Sequence, residues 1–259
     1  MTTTGGGLGE AIARPVRTAR VALAAAGVLT AIWLAVAAAG GPGAVAPVYQ
    51  ACGLSRAGMA GGRVWQLVTH GLLHAGWLHL GVNVLLLVLI GGRVEHILGR
   101  RAAAGILLAG VVAGGLCHLL LVPGTNGGGI LVGVSGGAMA WLLALVTLSP
   151  ESRMLWPLRI SGRNLGLGLL LGSAFLALSH PQLGVPGLAR LGELAEQTRI
   201  GLATTVGHAC HLGGGLAGWL VARRLLRRPR ITRASLMRER DRAEARNAGG
   251  GASRNGPLA

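Results

Sequence analysis

The sequence predicts an all-α membrane protein of six transmembrane helices with both termini in the cytoplasm. Its 259 residues are 51% hydrophobic and only 12% charged, with a mean hydropathy of +0.58, whereas ordinary soluble chains carry about 25% charged residues. Windows of about 20 mainly apolar residues, the length needed to cross a hydrocarbon core, run roughly over 20–40, 67–92, 102–122, 130–149, 164–180 and 203–222. The arginines collect in alternate connections between these windows, and that asymmetry sets the orientation.

Taken in order, the first window follows Arg14, Arg17 and Arg20. It is long for the apolar stretch of a signal peptide and has no clear cleavage break, so it reads as a span. Arg93, Arg100 and Arg101 separate windows two and three; Arg153, Arg159 and Arg163 separate four and five; Arg223 to Arg246 follow the sixth. With six crossings all of these clusters fall on the cytoplasmic side, while the opposite loops carry only Arg56, Arg63, Arg190 and Arg199. One internal span more or fewer would scatter the clusters over both sides. The chain accordingly divides into a cytoplasmic segment over 1–19, a six-helix membrane domain over 20–222 and an Arg-rich cytoplasmic tail over 223–259, in the plasma (inner) membrane of a prokaryotic cell. Residues 1–13 are Thr/Gly-rich and 247–259 lack an apolar period, so both ends are expected to be mobile. The tail from Arg223 to Arg246 reads as a juxtamembrane segment held to anionic lipid.

Composition also excludes function classes. All 24 basic residues are Arg, and the acids are seven Glu and one Asp, Asp241 in the tail, so chemistry that needs an intramembrane Asp is ruled out. The net charge of +16 sits at the flanks of apolar runs and in the tail, so nucleic acid is not an expected partner. Cys52, Cys117 and Cys210 are scattered without CxxC spacing, which leaves no disulfide framework and no zinc site. No metal or cofactor is expected.

Ionisable side chains inside a membrane are expensive and mark function. Window two carries His70, His74, His79 and Asn83; window four begins Gly133-Val134-Ser135-Gly136-Gly137; window six carries Gly207-His208-Ala209-Cys210-His211 followed by Leu212 and three glycines. In the derived orientation these three windows all run from outside to inside, with the polar residues in the outer half. Ser135 is expected about five residues into its span and His211 about eight, at depths of roughly 8 and 12 Å. Gly133 with Gly137, Gly207 with His211 and Gly215, and Gly214 with Gly218 have the small-residue spacing that lets helices approach closely. Serine becomes a nucleophile when an imidazole takes its proton, and Ser135 with His211 supplies that pair. Without an acid in the outer halves of the spans, the unit is a dyad.

The run Trp65-Gln66-Leu67-Val68-Thr69-His70-Gly71-Leu72-Leu73-His74, continuing to His79, Asn83 and Gly91-Gly92-Arg93-Val94-Glu95, resembles the second helix of the rhomboid intramembrane serine proteases. Gly133-Val134-Ser135-Gly136 resembles their GxSG nucleophile motif, and His211-Leu212-Gly213-Gly214 with Gly218 their catalytic histidine and its downstream glycines. The resemblance spans about residues 20 to 222. It implies Ser135 as nucleophile, His211 as general base, and His79 and Asn83 as oxyanion donors beside the Ser135 backbone N–H. Gly133, Gly136, Met139, Gly214 and Gly218 would shape the site. Two positions depart from the pattern: Met139 stands where many members carry an aromatic ring, and Gln66 replaces the Arg of the usual Trp-Arg pair.

The expected activity is therefore endoproteolysis of transmembrane segments of single-span proteins near the outer membrane face. Helix-weakening Gly, Pro or polar residues near the cut should favour cleavage, with a small residue on its N-terminal side. Two other classes use the same residues. His70 with His74, and His208 with His211, have spacings that could line a metal transporter, and a rhomboid-like fold could bind client helices without cutting them. His96 and His118 are expected to pack, His180 to be solvated, and the loop carrying Gly184, Pro186 and Gly187 to gate access.

Overall fold

In the computed structural model, residues 19–122, 129–151, 153–155, 160–197 and 207–227, with Met237 and Asp241, are described. The Thr/Gly-rich start, nearly all of the Arg-rich tail beyond Arg227, Arg199 and the first residues of window six lie outside them. Helix α1 (Arg20–Ala38) is an Ala/Leu/Val run without proline. Gly40, at φ 99°, stops it: the Gly40 and Gly41 N–H groups turn back to Ala37 O and Val36 O at 3.1 and 2.9 Å. This pair of bonds satisfies the last carbonyls of a helix that ends in a left-handed glycine.

Between α1 and the next long helix lie α2 (Ala46–Cys52), α3 (Arg56–Ala60), α4 (Gln66–Thr69) and a 3-10 turn over His70–Leu72. The long helix, α5, runs Trp77–Leu98, so window two begins about ten residues too early and His70 and His74 precede the helix. The cause is tertiary: the His70 carbonyl accepts the N–H of Gly133 at 2.9 Å, and Leu73 is extended, with ψ 153°. The side chains there are apolar enough that hydropathy cannot see the break.

Gly99, at φ 80°, is the single residue between α5 and α6 (Arg100–Leu121). Helix α7 (Ser135–Leu148) begins later than window four, because residues 130–134 are not helical and Leu131 pairs with Leu54 through reciprocal backbone bonds of 3.0 and 2.9 Å. Ser135 is thus the first residue of its helix rather than five residues in. A short antiparallel pair, β1 (Arg153–Leu155) and β2 (Ile160–Ser161), leads into α8 (Gly162–Leu178). The loop beyond holds a 3-10 turn over Pro181–Leu183 and a ten-residue helix, α9 (Leu188–Gln197), before α10 (His208–Arg227). Among the described residues, α1, α5 and α6 are long and apolar enough to cross a membrane, and α7 and α8 are apolar but shorter.

Close contacts fix the helix directions. Trp33 and Trp77 meet edge to face at 5.5 Å, while at the far end of the pair a Cβ on Gly91 would lie 2.7 Å from Ala22 Cβ, so α1 and α5 are antiparallel. Gly110 faces Ala140 and Gly114 faces Gly136, which sets α6 against α7; Gly162 faces Ser149 and Gly166 faces Val146, which sets α8 against α7. Gly214 sits on Gly136 and Gly218, one turn on, sits on Ala140, so α7 and α10 run the same way. The segment ahead of α7 meets His79 near the start of α5 and Trp141 meets Gly91 further along it, so α5 also runs the same way as α7, and the long helices alternate in direction along the chain.

No residue of α1 caps its own first turn. Glu95, in the last turn of α5 and only 6% exposed, does so: Val21 N–H donates to Oε2 at 3.1 Å and Ala22 N–H to Oε1 at 2.8 Å. A carboxylate there satisfies orphaned donors and complements the positive helix end. Glu95→Ala is expected to lower the unfolding free energy by about 1.5–3 kcal/mol, measured by denaturant unfolding in detergent; an unchanged midpoint would contradict this role.

Candidate active site

The site lies where α5, α7 and α10 converge, and small residues allow the convergence. A Cβ on Gly214 would come 2.1 Å from the Gly136 carbonyl oxygen, one on Gly218 2.0 Å from that of Ala140, and one on Gly136 2.9 Å from both Cys210 Sγ and Gly110 O. Backbone therefore rests on backbone at each of these positions. The Gly214/Gly218 spacing works as its sequence suggests. Gly133 and Gly137 do not form the expected helical pair, since Gly133 precedes α7 at φ 113°, and Gly137 instead packs on Leu107 of α6.

This packing brings Ser135, at the start of α7, to His211, in the first turn of α10, across 76 residues of chain. His211 Nε2 lies 2.9 Å from Ser135 Oγ. Both side chains are half-buried. With Nε2 accepting from the hydroxyl, the ring proton resides on Nδ1. Among the described residues, the His211 ring makes this one hydrogen bond. The N–H of Ser135, in the first turn of α7, has no intrahelical acceptor and lies at the positive helix end.

His79 and Asn83, one turn apart on α5, face the same place. A Cβ on Gly133 would meet His79 Nε2 at 2.8 Å and Asn83 Nδ2 at 3.9 Å, so both side chains border the backbone just ahead of Ser135. The Ala75 N–H donates to His79 Nδ1 at 3.4 Å, which leaves Nε2 as the ring's donor. Asn83 is buried, and its Nδ2 donates one hydrogen to His79 O at 2.9 Å, leaving the second available. Met139, one turn beyond Ser135, is half-buried.

The preceding loop supports this arrangement in ways the sequence did not disclose. Gln66 is fully buried: Nε2 donates to Gln50 O at 2.9 Å and Ala51 O at 3.2 Å, and Oε1 accepts from Ser55 N–H at 3.2 Å. Trp65 Nε1 donates to Ala51 O and Thr69 Oγ1 to Cys52 O, at 2.9 and 2.6 Å. Tyr49 OH donates to His74 O at 2.5 Å and His70 Nδ1 to Gln66 O at 2.8 Å. His70 thus braces the loop, the His74 ring meets that of His79 edge to face at 5.1 Å, and the two lie on no common helix, which removes the spacing on which a metal reading of that pair rested. Among the described residues, no group of three or more His, Cys, Asp or Glu is placed to hold a metal ion. His180, expected in solvent, is half-buried, and its Nδ1 has no hydrogen-bond partner among the described residues.

Gly133 is the position where two constraints meet, a left-handed φ and an imidazole against its Cα. Gly133→Ala is expected to lose about 1–3 kcal/mol of stability and to displace the His79 ring, read as a shift of histidine ring resonances. Unchanged resonances and stability would contradict the close approach.

Two comparisons with known proteins bear on this geometry. The family model for the Rhomboid domain matches residues 61–228. The human rhomboid-related protein 3 is 38% identical over 82 residues, or 32% of this chain, and the match spans only 19% of that relative's length. Because the domain match covers well over half of the sequence, from the loop that holds Trp65 and Gln66 to the end of α10, this chain belongs to the rhomboid family.

Proposed function

We propose that the chain is an intramembrane serine endopeptidase acting through a Ser135–His211 dyad. The observation that carries this reading is the 2.9 Å approach of His211 Nε2 to Ser135 Oγ. As the Ser135 oxygen attacks a scissile carbonyl, its proton passes to His211 Nε2. The developing oxyanion takes hydrogen bonds from the Ser135 N–H, His79 Nε2–H and Asn83 Nδ2–H. His211 then gives the proton to the leaving amine, and a water repeats the sequence on the acyl-enzyme in reverse. Gly133, Gly136, Gly214 and Gly218 keep the backbones close enough for these groups to meet, and Met139 packs beside them. No cofactor enters the reaction.

In this reading the domain has six spans, supported by the alternating helix directions, with both termini cytoplasmic, supported by the one-sided arginines. The protein resides in a prokaryotic plasma membrane, and the tail beyond Arg227 meets anionic lipid. Substrates are transmembrane segments of single-span proteins. Their own hydrogen bonds shield the scissile peptide, so residues that weaken the helix near its outer end lower the barrier to attack.

Purified protein should cut a labelled single-span reporter, and Ser135→Ala or His211→Ala should each abolish cleavage, with the double variant little worse than either. Proteolysis that persists in Ser135→Ala would end the serine-protease reading. His79→Ala and Asn83→Ala are expected to lower kcat by about 10²–10³ with little change in KM; a loss confined to KM would remove them from the oxyanion. Replacing helix-weakening residues of the reporter by Leu should slow its cleavage, and equal rates would refute the unwinding requirement.

A further inference from the structure

Among the described residues, the His211 ring is hydrogen-bonded at one nitrogen, by Ser135. A single bond to Nε2 leaves the ring plane to be set by the side-chain torsions and by packing, and proton transfer needs that plane aligned with the hydroxyl. In a helix, side chains lean toward the N-terminal turn, so residue i lies over residue i−3. One turn before His211 on α10 stands His208, half-buried, with its ring 6.0 Å from that of His211 at an interplanar angle of 87°. That is an edge-to-face pair within the range where ring quadrupoles attract. The catalytic assignment leaves His208 without a role.

We infer that His208 is a positioning residue: its ring, packed edge to face on His211, fixes the plane in which His211 takes the Ser135 proton. The inference rests on the protease reading and adds to it a second support for the base, supplied from the same helix. What the contact requires is an aromatic ring at position 208. Phenylalanine keeps that contact, and alanine does not.

The test uses the full-length protein in lipid, with Ser135→Ala as the control for the protease reading itself. His208→Ala should lower kcat for the reporter about tenfold and slow labelling of Ser135 by a fluorophosphonate to the same degree, with KM and the thermal unfolding midpoint unchanged. His208→Phe should restore both rates to within about twofold of the native chain. The nitrogen resonances of the His211 ring give a readout independent of proteolysis: single and sharp in the native and His208→Phe chains, broadened or split in His208→Ala. Sharp, unshifted resonances in His208→Ala, a Phe variant as slow as the Ala variant, or a loss that tracks the unfolding midpoint would each overturn the inference. Failure of the native chain to cut or to be labelled would instead count against the protease reading, and the ring resonances would still decide the role of His208.

Discussion

The absence of side chains at a few positions on α6, α7 and α10 is the constraint on which the site depends. Backbone contact at Gly136, Gly214 and Gly218 sets the separation of α7 and α10, and with it the distance between a hydroxyl and an imidazole on different helices. Within lipid no hydrophobic force drives helices together, so close packing of small residues carries the association. A methyl group at Gly214 would have to displace the carbonyl of Gly136, which belongs to the turn that begins with Ser135. Geometry at the Ser135–His211 pair and packing of the bundle are therefore the same property.

The second organising feature is the tie between the loop before α5 and the segment before α7. The His70 carbonyl holds the Gly133 N–H, and Leu54 pairs with Leu131. Side chains of Trp65, Gln66 and Thr69 in turn hold the carbonyls of residues 50–52. Glutamine at position 66, a departure from the family pattern, still makes bonds to two carbonyls and one N–H. It does so without a charge, inside a space so close that Gly58 has no room for a Cβ.

The meeting of Ser135 and His211 was legible in the sequence because each stands among glycines, and on α10 the Gly214/Gly218 spacing allows the close approach it suggests. The long apolar helices were legible for the same kind of reason, since hydropathy over about twenty residues has few other causes. Helix starts were not. Whether residues 67–76 continue α5 is decided by a carbonyl that bonds to Gly133, some sixty residues away, and no window of local sequence contains that partner. Glu95 was visible as part of a motif, but its contact with the first turn of α1 is a property of the assembled bundle. Helix α9 escaped notice because its ten residues are too few and too polar for a span; Gly192 seats it against the carbonyl of Ser179.

Placing Ser135 and His211 on separate helices has a consequence for biosynthesis. Ser135 is made with α7, but its hydrogen-bond partner arrives only with α10, 76 residues later. Until then the hydroxyl lacks the His211 imidazole, and the grooves at Gly114 and Gly136, which Cys210 of α10 fills, stand open. A ribosome that stalls, or a chain that ends before α10, leaves Ser135 without that partner. The contact between the two side chains is thus coupled to the synthesis of α10, whose arrival also fills those grooves.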